Sequence, residues 1–521
     1  MKLLEGRSMR LAQTMLVVFP SFMLFGYNQV GVGGLLSFSD WIKTFPEIDT
    51  SDKTAGATSQ NALVQGTYVA SFTLGALAGA FSCSGLGDWL GRRKSIFIGA
   101  LLTLVGEIIS CSSFTLAQLT VGRIIIGLGV GILSTIVPVW QSECSPAVNR
   151  GQHVVVDGIF ITSGYALSSW VSYGFSHIQE SSVSWRFPLA LPAFFSLILL
   201  ASVFLFPESP RWLVRVGRRE EAAAALSRTR GDGADDVIIQ HEVASIEHSL
   251  EESARTAATM RDIFTMGDGK LFYRFMLCIG LQFWIHMCGA NVISTYISQI
   301  IQNNLGMSAE LSRILGACAL TWKCMASFVA FFTIDRFGRR KLFMFTGVGL
   351  TCCMTGLAIT NSFPNTNQPA AIFSVLLMFL YNFFFPIGFL GTSFLYCTEV
   401  APTRLRVAMT SIATANHWMW NFVVQMITPI ALGTIGYKYY IVYACIAVCF
   451  PITVFFFYPE TMGQRLEKLE HLFARDMGVF ETVSAANRMA KFPECEDTSD
   501  EEVGKQKMEH VEDSEDEKRE A

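Results

Sequence analysis

The chain has 521 residues, of which 51% are hydrophobic and 16% are charged. Soluble globular domains usually carry about 25% charged residues, so this composition excludes a single soluble domain. Apolar stretches of about 20 residues, long enough to cross the hydrocarbon core of a bilayer as a helix, recur along the chain. They predict an all-α membrane protein with twelve spans, at 11–36, 60–83, 95–113, 119–142, 153–175, 186–206, 272–301, 312–334, 342–360, 371–396, 407–432 and 438–458.

The orientation of the spans in the membrane is predicted from the first apolar run and from the basic residues in the loops between spans. The first apolar run is too long for the hydrophobic region of a signal peptide, so we expect it to remain as span 1. Basic residues gather after the even-numbered spans, whereas the alternate loops carry few of them, namely Lys43, Lys53 and Lys438. Because cytoplasmic loops are enriched in Lys and Arg, both termini are predicted to be cytoplasmic. We expect the membrane to be the plasma membrane.

The longest polar break separates six predicted spans from the other six. Residues 1–206 are predicted to form one six-helix bundle and residues 272–458 a second. A cytoplasmic linker with short helices is expected at 207–271, and a cytoplasmic tail at 459–521. From Pro493 to Ala521 this tail carries 13 acidic and 4 basic residues. We expect its end to be largely disordered, as strongly charged polar segments usually are.

Three short motifs occur twice, in the same order, after corresponding spans of the two halves. D-x-x-G-R-R-K follows spans 2 and 8, E-x-x-P-x-x-x-R follows spans 4 and 10, and P-E-S/T follows spans 6 and 12. One such loop alone is an ordinary positively charged turn, but three matched pairs indicate an internal repeat. Two parallel halves around a central site are a plan of membrane transporters.

The repeated motifs predict a gate on the cytoplasmic side. Gly91 and Gly338 permit tight turns, after which arginine side chains can pair bidentately with carboxylates at nearby helix ends. We expect such pairs to form across the two halves, to hold this side shut in the outward-open state, and to break when the halves rock. The predicted gate residues are Asp88, Arg92, Arg93, Glu143, Arg150, Glu208, Asp335, Arg339, Arg340, Glu399, Arg406 and Glu460.

Over residues 10–470 the chain resembles the sugar porter family of the major facilitator superfamily. Besides the repeated loops, the resemblance rests on F-G-Y-N-Q from Phe25, G-R-x-x-x-G-x-G-x-G from Gly122, P-V-W-Q-S-E from Pro138 and P-E-S-P-R-W-L from Pro207. It implies a major facilitator fold and transport of a sugar or polyol by alternating access. No Walker loop is present, so no nucleotide is expected.

The resemblance also implies a substrate site, because polar residues on spans 5, 7, 8, 10 and 11 bind sugar hydroxyls in this family. Neutral donors and acceptors suit a hydroxyl-rich ligand, which must lose its water without leaving polar groups unpaired. The residues carried over from the family pattern are Gln282, Asn291, Trp418 and Asn421. The chain departs from that pattern at or beside other contact positions, which counts against recognition of plain glucose: Asp157, Ile285, His286, Lys323, Phe394 and His417.

Several of these departures are ionisable residues inside predicted spans, where such residues are costly and usually functional. We predict that Asp157 and Lys323 form an ion pair, or share a proton, across the central cavity. Alternatively, Asp157 lies near cytoplasmic water and Lys323 extends toward the membrane interface. A lysine in the cavity would also suit a carboxylate, so a sugar acid is a further possible substrate. His286 and His417 either bond neighbouring helices or contact the substrate directly.

Asn28, Glu107 and Arg123 bear on proton coupling. Proton-coupled members of the family have an aspartate at the Asn28 position, which pairs with the arginine of span 4, and asparagine cannot titrate. This favours facilitated uniport, with proton symport through Asp157 as the alternative. Glu107 on span 3 should lie at the same depth as Arg123 on span 4. We predict that it neutralises the arginine, unless Arg123 extends outward and Glu107 bonds another neighbour.

Other function classes fit the sequence less well. A nutrient sensor that keeps the fold without turnover usually has a long cytoplasmic tail, whereas about 60 residues follow span 12 here. We see no catalytic constellation and no cluster of metal ligands at suitable spacing, so we predict no enzyme activity, no cofactor and no metal. The expected partners are the sugar or polyol, the bilayer and, for symport, protons. We expect a monomer that does not bind nucleic acid.

Overall fold

The computed structural model describes residues 6–50, 55–144, 150–178, 181–231, 236–255, 269–364, 367–402, 405–462, 469, 472–473 and 477–491, and within them it contains helices and no strand. Ten helices of this part of the chain are long and apolar enough to cross a membrane. Two more long helices, Arg150–Phe175 and Arg406–Thr434, occupy the places of spans 5 and 11. The predicted all-α membrane fold is therefore confirmed.

The helices of each half follow the predicted order. Spans 1 to 6 are Gly6–Leu35, Ala55–Leu90, Arg92–Cys111, Leu116–Cys144, Arg150–Phe175 and Val183–Leu205. Spans 7 to 12 are Leu271–Asn303, Ala309–Phe337, Arg339–Thr360, Gln368–Val400, Arg406–Thr434 and Lys438–Phe457. Three linker helices, Pro210–Arg215, Arg219–Arg230 and Asp236–Arg255, lie between the halves in sequence, and a C-terminal helix occupies Val479–Lys491. The acidic segment after it lies outside the described residues.

Spans 7 and 10 are each interrupted by a glycine in a backbone conformation that other residues rarely adopt. Gly289 has φ of 93° between the helices Leu271–Met287 and Ala290–Gln299. Gly391 has φ of 79° before the helix Thr392–Val400. Such interruptions in membrane helices are found where the backbone lines a cavity or is buried in protein. They direct attention to the polar residues beside them.

We call the end of the protein that carries the repeated motifs the motif end, and the other end the opposite end. The two halves are in close contact at the opposite end. Span 1 crosses span 7 so closely that a Cβ on Gly33 would overlap the carbonyl oxygen of Thr295. Span 2 crosses span 11 in the same way, with Gly66 against the carbonyl oxygen of Met426. Glycine is needed at both crossings because only a hydrogen fits between the backbones.

The extra helices pack separately on the two halves at the motif end. The second linker helix lies against the start of span 1, where Arg10 Nη1 donates to the carbonyl oxygen of Thr229 over 2.8 Å. The C-terminal helix lies against the start of span 7, where Lys270 Nζ donates to Thr482 Oγ1 over 3.1 Å. Each half is thus extended by its own helical segment.

The crossing of spans 1 and 7 predicts the effect of a larger residue at position 33. In Gly33→Val the side chain would push the two spans apart, because the carbonyl of Thr295 occupies its space. Spin labels carried on unnatural amino acids at the exposed residues Lys43 and Asn303 should report a longer distance between the halves. Gly174→Val is the matched control, since nothing lies within 4 Å of a Cβ there. Equal distances in both variants would contradict this contact.

Candidate substrate-binding site and motif clusters

Spans 7 and 11 contribute a chain of hydrogen-bonded polar side chains that also reaches span 1. His286 Nε2 lies 3.1 Å from His417 Nδ1, and Asn291 Nδ2 lies 3.0 Å from His286 Nδ1. Asn291 Nδ2 also donates to Asn421 Oδ1 over 2.7 Å. From the first half, Gln29 Nε2 donates to Asn291 Oδ1 over 3.0 Å. The chain of bonds therefore joins the two halves of the protein.

Two further glutamines extend this arrangement. Gln282 Oε1 lies 3.0 Å from His417 Nδ1, and Gln425 Nε2 donates to Asn421 Oδ1 over 2.8 Å. His417, Asn421 and Gln425 are each four residues apart, which places them on one face of span 11. We call the whole set the seam network: Gln29, Gln282, His286, Asn291, His417, Asn421 and Gln425, all of which are buried.

Several atoms in and beside the seam network are buried without a hydrogen-bond partner among the described residues. They are Gln29 Oε1, His417 Nε2, Trp418 Nε1, Asn421 Nδ2 and Gln425 Oε1. A buried polar group without a partner costs about 1–3 kcal/mol, so proteins rarely leave several together. The set contains acceptors and donors, which is the combination that a hydroxyl group can satisfy.

Aromatic side chains form one wall of the same region. The ring of the fully buried Trp418 lies 4.9 Å from that of Phe25 and 5.8 Å from that of Phe72. The ring of Phe394 lies 5.4 Å from that of His417. Spans 1, 2, 10 and 11 therefore bring rings beside the unpartnered polar atoms. An apolar face next to polar groups suits a ligand that has both kinds of surface.

Lys323 does not pair with Asp157, so the predicted ion pair between them is wrong in this structure. Lys323 Nζ donates instead to Ser294 Oγ over 2.7 Å. It also lies over the rings of Phe385 and Tyr165, 4.4 Å and 5.0 Å from their centroids. The side chain of Lys323 is buried with 1% exposure, so it does not extend to the membrane interface either.

Asp157 is likewise buried, and its Oδ1 has no hydrogen-bond partner among the described residues. The next residue, Gly158, lies against the interruption of span 10, because a Cβ there would be 3.4 Å from the backbone nitrogen of Gly391. Further along span 5, Thr162 and Ser327 are 3.1 Å apart, and their hydroxyls connect spans 5 and 8. Asp157 thus lies at the seam between the halves, apart from the seam network.

The predicted pair of Glu107 and Arg123 is also wrong, since Asn28 stands between them. Asn28 Nδ2 donates to Glu107 Oε1 over 3.3 Å, while Arg123 Nη1 donates to the carbonyl oxygen of Asn28 over 2.8 Å. The other carboxylate oxygen of Glu107 accepts from Ser196 Oγ over 2.9 Å. The guanidinium of Arg123 lies 4.8 Å from the ring centroid of Phe72. Glu107 therefore bonds neighbours rather than neutralising Arg123 directly.

At the motif end of the first half, the repeated residues form one cluster. Arg92 donates bidentately to Glu143, over 2.9 Å and 3.0 Å. Its Nη1 lies 3.4 Å from Asp88, which also pairs with Arg215 at 2.6 Å. Glu208 accepts from the backbone N–H groups of the first residues of span 3, starting with Arg92 over 3.1 Å. A carboxylate at the start of a helix satisfies N–H groups that have no partner within the helix.

The second half repeats this cluster. Arg339 donates to Glu399 over 3.3 Å and 2.9 Å, and its Nη1 lies 3.1 Å from Asp335. Glu460 accepts from the backbone N–H groups of Arg339 and Arg340 over 2.9 Å and 3.0 Å. The repeat of the sequence is thus a repeat of three-dimensional contacts.

Glycine is required in both clusters. Gly91 and Gly338 each have φ of 86°. A Cβ on Gly91 would come within 2.9 Å of Glu208 Oε2, and a Cβ on Gly338 within 2.5 Å of Glu460 Oε2. The tight turns predicted from the sequence therefore also make room for the glutamates that bind the helix starts.

The clusters correct the predicted gate in two respects. Each ion pair found at the motif end among the described residues joins partners of the same half or its linker, not of opposite halves. Glu208 and Glu460 bind backbone N–H groups rather than arginine side chains; Arg93 and Arg340 donate to the carbonyl oxygens of Phe204 and Phe455. The side chains of Arg150 and Arg406 lie outside the described residues.

Comparison with known proteins agrees with this architecture. A structure of the proton:xylose symporter XylE bound to 6-bromo-6-deoxy-D-glucose superposes with a TM-score of 0.75 at 24% identity, covering 89% of this chain and 99% of that one. An inward-open structure of the xylose transporter XylE from E. coli gives a TM-score of 0.69 and covers 89% of this chain and 99% of that one. These likenesses show the major facilitator fold.

Sequence relatives are similar over almost the whole chain. Residues 14–473 match the family described as sugar (and other) transporters. The chain belongs to this family. The sugar transporter STL1 of Saccharomyces cerevisiae is 30% identical over 91% of this chain and 82% of its own length. The major facilitator superfamily transporter mfsA of Aspergillus fumigatus is 33% identical over 91% of this chain and 87% of its own. The predicted resemblance is confirmed, and the protein is a multi-pass membrane transporter, not an enzyme.

Three polar residues in or beside the site were not predicted from the sequence: Gln29, Gln425 and Ser294. Gln29 stands inside the F-G-Y-N-Q motif but was not expected to bond across the halves. Gln425 lies one turn after Asn421, and Ser294 lies three residues after Asn291. Helical spacing alone would have placed both beside predicted site residues. Their partners follow only from the packing of spans 1, 7, 8 and 11.

The buried pair of Arg339 and Glu399 predicts a stability effect. In Arg339→Ala, Glu399 would lose its bidentate partner in a site where the two side chains are 6% and 17% exposed. Removing one partner of such a pair costs about 3 kcal/mol, so the melting temperature of the purified protein should fall. The neighbouring exposed Arg336 is the control, and Arg336→Ala should change little. If Arg339→Ala melts like Arg336→Ala, the pair does not stabilise the second half.

Proposed function

We propose that the protein carries a sugar or polyol across the membrane by alternating access and binds it at the seam network. The observation that carries this proposal is the set of unpartnered buried donors and acceptors in and beside a network that joins the two halves. Each hydroxyl of the substrate is both a donor and an acceptor, so it can pair with Gln29 Oε1 as well as with Asn421 Nδ2. The ring of Trp418 suits the apolar face of a sugar.

The location of the network supports alternating access. Gln29 belongs to the first half, whereas His286, Asn291 and His417 belong to the second. A substrate held there contacts both halves, so its binding can bias how the halves lie relative to each other. The ion pairs that the structure describes at the motif end stay within one half, which favours movement of each half as a rigid body. Rocking would then open the opposite end and the motif end in turn.

Facilitated uniport is the mode of transport that Asn28 supports. Its amide holds Glu107 and its carbonyl oxygen holds Arg123, so a residue that cannot titrate occupies the centre of this cluster. Proton binding at Asn28 is excluded by its chemistry. We further propose that the motif end and both termini face the cytoplasm, because basic residues cluster there. The protein is expected to act as a monomer in the plasma membrane.

The substrate site can be tested with two asparagines of span 11. Asn421→Ala removes a member of the seam network, so uptake of a radiolabelled substrate into carrier-deficient cells should fall at least about tenfold, the loss expected from one buried hydrogen bond to the substrate. Asn416→Ala is the matched control, because Asn416 bonds only the carbonyl oxygen of Ile279 among the described residues. A panel of hexoses, pentoses, disaccharides, polyols and uronates identifies the substrate.

That experiment also separates transport from sensing. A nutrient sensor that keeps the fold without turnover would accumulate none of the panel above the level of empty cells, and this result would overturn the proposed function. Equal losses of uptake in Asn421→Ala and Asn416→Ala, at equal amounts of protein in the membrane, would instead remove the seam network from the substrate site.

Proton symport is the second candidate because Asp157 has a buried carboxylate oxygen without a partner among the described residues. Uniport predicts that uptake of the substrate causes no alkaline shift of the external medium. Symport predicts an alkaline shift that disappears in Asp157→Asn while exchange of labelled substrate across the membrane persists. An alkaline shift measured with the wild-type protein would therefore replace uniport by symport.

A further inference from the structure

A second polar space lies beside the seam network, between spans 1, 5, 7 and 8. This space, which we call the hydroxyl cavity, has a volume of about 20 Å³ available to the centre of a water molecule, enough for about one water. No aspartate or glutamate occurs among the described residues that line it. Its polar wall consists of the hydroxyl groups of Ser169, Ser172, Tyr173, Ser294, Thr295 and Ser298 together with the guanidinium of Arg313.

Lys323 reaches the wall of the hydroxyl cavity through Ser294, whose hydroxyl accepts its hydrogen bond over 2.7 Å. The ammonium also lies over the ring faces of Phe385 and Tyr165. Ring faces attract an ammonium group in its charged form, so the two rings partly replace the contact with water that burial removes. Among the described residues, however, no carboxylate lies within ion-pair distance of it. A buried positive charge of this kind favours an anionic ligand.

A second cation stands at the other end of the same cavity. Arg313 precedes Lys323 by ten residues on span 8, which corresponds to about 15 Å along the helix. Its Nη2 donates to the carbonyl oxygen of Ser37 over 3.2 Å, and its Nε is buried without a partner among the described residues. Arg313 has the carboxylate of Glu310 in its electrostatic surroundings, so of the two cations it is Lys323 that has no nearby acid among the described residues.

The cavity is close enough to the seam network for one ligand to contact both. Ser294 follows Asn291 by three residues in the helix Ala290–Gln299, so the two side chains lie on one face about 4.5 Å apart along the axis. This separation is comparable to the width of a sugar ring. A carboxylate at Lys323 and hydroxyl groups at Asn291 therefore fit one small molecule.

We propose that the substrate is a sugar acid, whose carboxylate binds Lys323 and Ser294 while its hydroxyl groups bind the seam network. This proposal rests on the proposed transport of a sugar or polyol and specifies the acidic members of that class. It assigns Lys323 as the residue that distinguishes an acid from the corresponding neutral sugar.

The test compares acids with neutral sugars of the same stereochemistry, using the full chain in proteoliposomes. The matched pairs are D-galacturonate with D-galactose, D-glucuronate with D-glucose, and D-gluconate with D-sorbitol. In at least one pair the acid should be taken up with an apparent affinity about tenfold or more above its neutral partner, as expected for a charge-assisted hydrogen bond. Lys323→Gln should abolish this preference, whereas Lys323→Arg should keep most of it.

The controls distinguish the charge at this site from a general effect. Lys43→Gln removes an exposed positive charge near the opposite end of the protein. This variant should leave the preference for the acid unchanged. Equal losses for acid and neutral sugar in Lys323→Gln would make Lys323 a structural residue and overturn the proposal. Uptake of neutral sugars alone by the wild type would overturn it too, while the proposed function would stand. Uptake of no compound, either in these pairs or in the panel of hexoses, pentoses, disaccharides, polyols and uronates, would overturn both.

Discussion

Two buried bidentate ion pairs, Arg92 with Glu143 and Arg339 with Glu399, are the interactions on which the rest of the structure depends. Each pair fixes neighbouring helix ends of one half at the motif end, and each is supported by a glutamate that binds the start of the next span. Because removing one partner would leave the other charge buried and uncompensated, these contacts help to hold each half together. The relative movement proposed for alternating access would then occur at the seam between the halves.

At that seam, polar groups take the place of apolar packing. The seam network bonds Gln29 of one half to Asn291 of the other, yet leaves nearby donors and acceptors such as Asn421 Nδ2 without partners. In the proposed substrate site, the cost of these groups would make binding selective, because a ligand gains only if its hydroxyls replace the missing bonds. The need to replace each missing hydrogen bond also explains why the network consists of neutral side chains.

The charged residues buried within the spans are held differently, by neutral neighbours. Arg123 and Glu107 are connected through Asn28, and Lys323 rests on a hydroxyl and two rings, so none of them has a direct ion-pair partner among the described residues. Asparagine and serine can bridge charges without titrating, whereas a direct ion pair would respond to protons. The proposed uniport rests on Asn28, which cannot titrate, and the proposed preference for an anionic substrate rests on Lys323, which has no carboxylate partner among the described residues.

The sequence by itself determined the spans, the two halves and the motif residues, because hydrophobic length and repeated spacing are local properties of the chain. It also placed most of the seam network on spans 7 and 11. Only the tertiary structure decided the partners: Arg92 pairs within its half, Asn28 separates Glu107 from Arg123, and Lys323 turns to Ser294 instead of Asp157. The physical reason is that span positions give the depth of a residue, whereas pairing depends on helix rotation and side-chain reach, which packing sets.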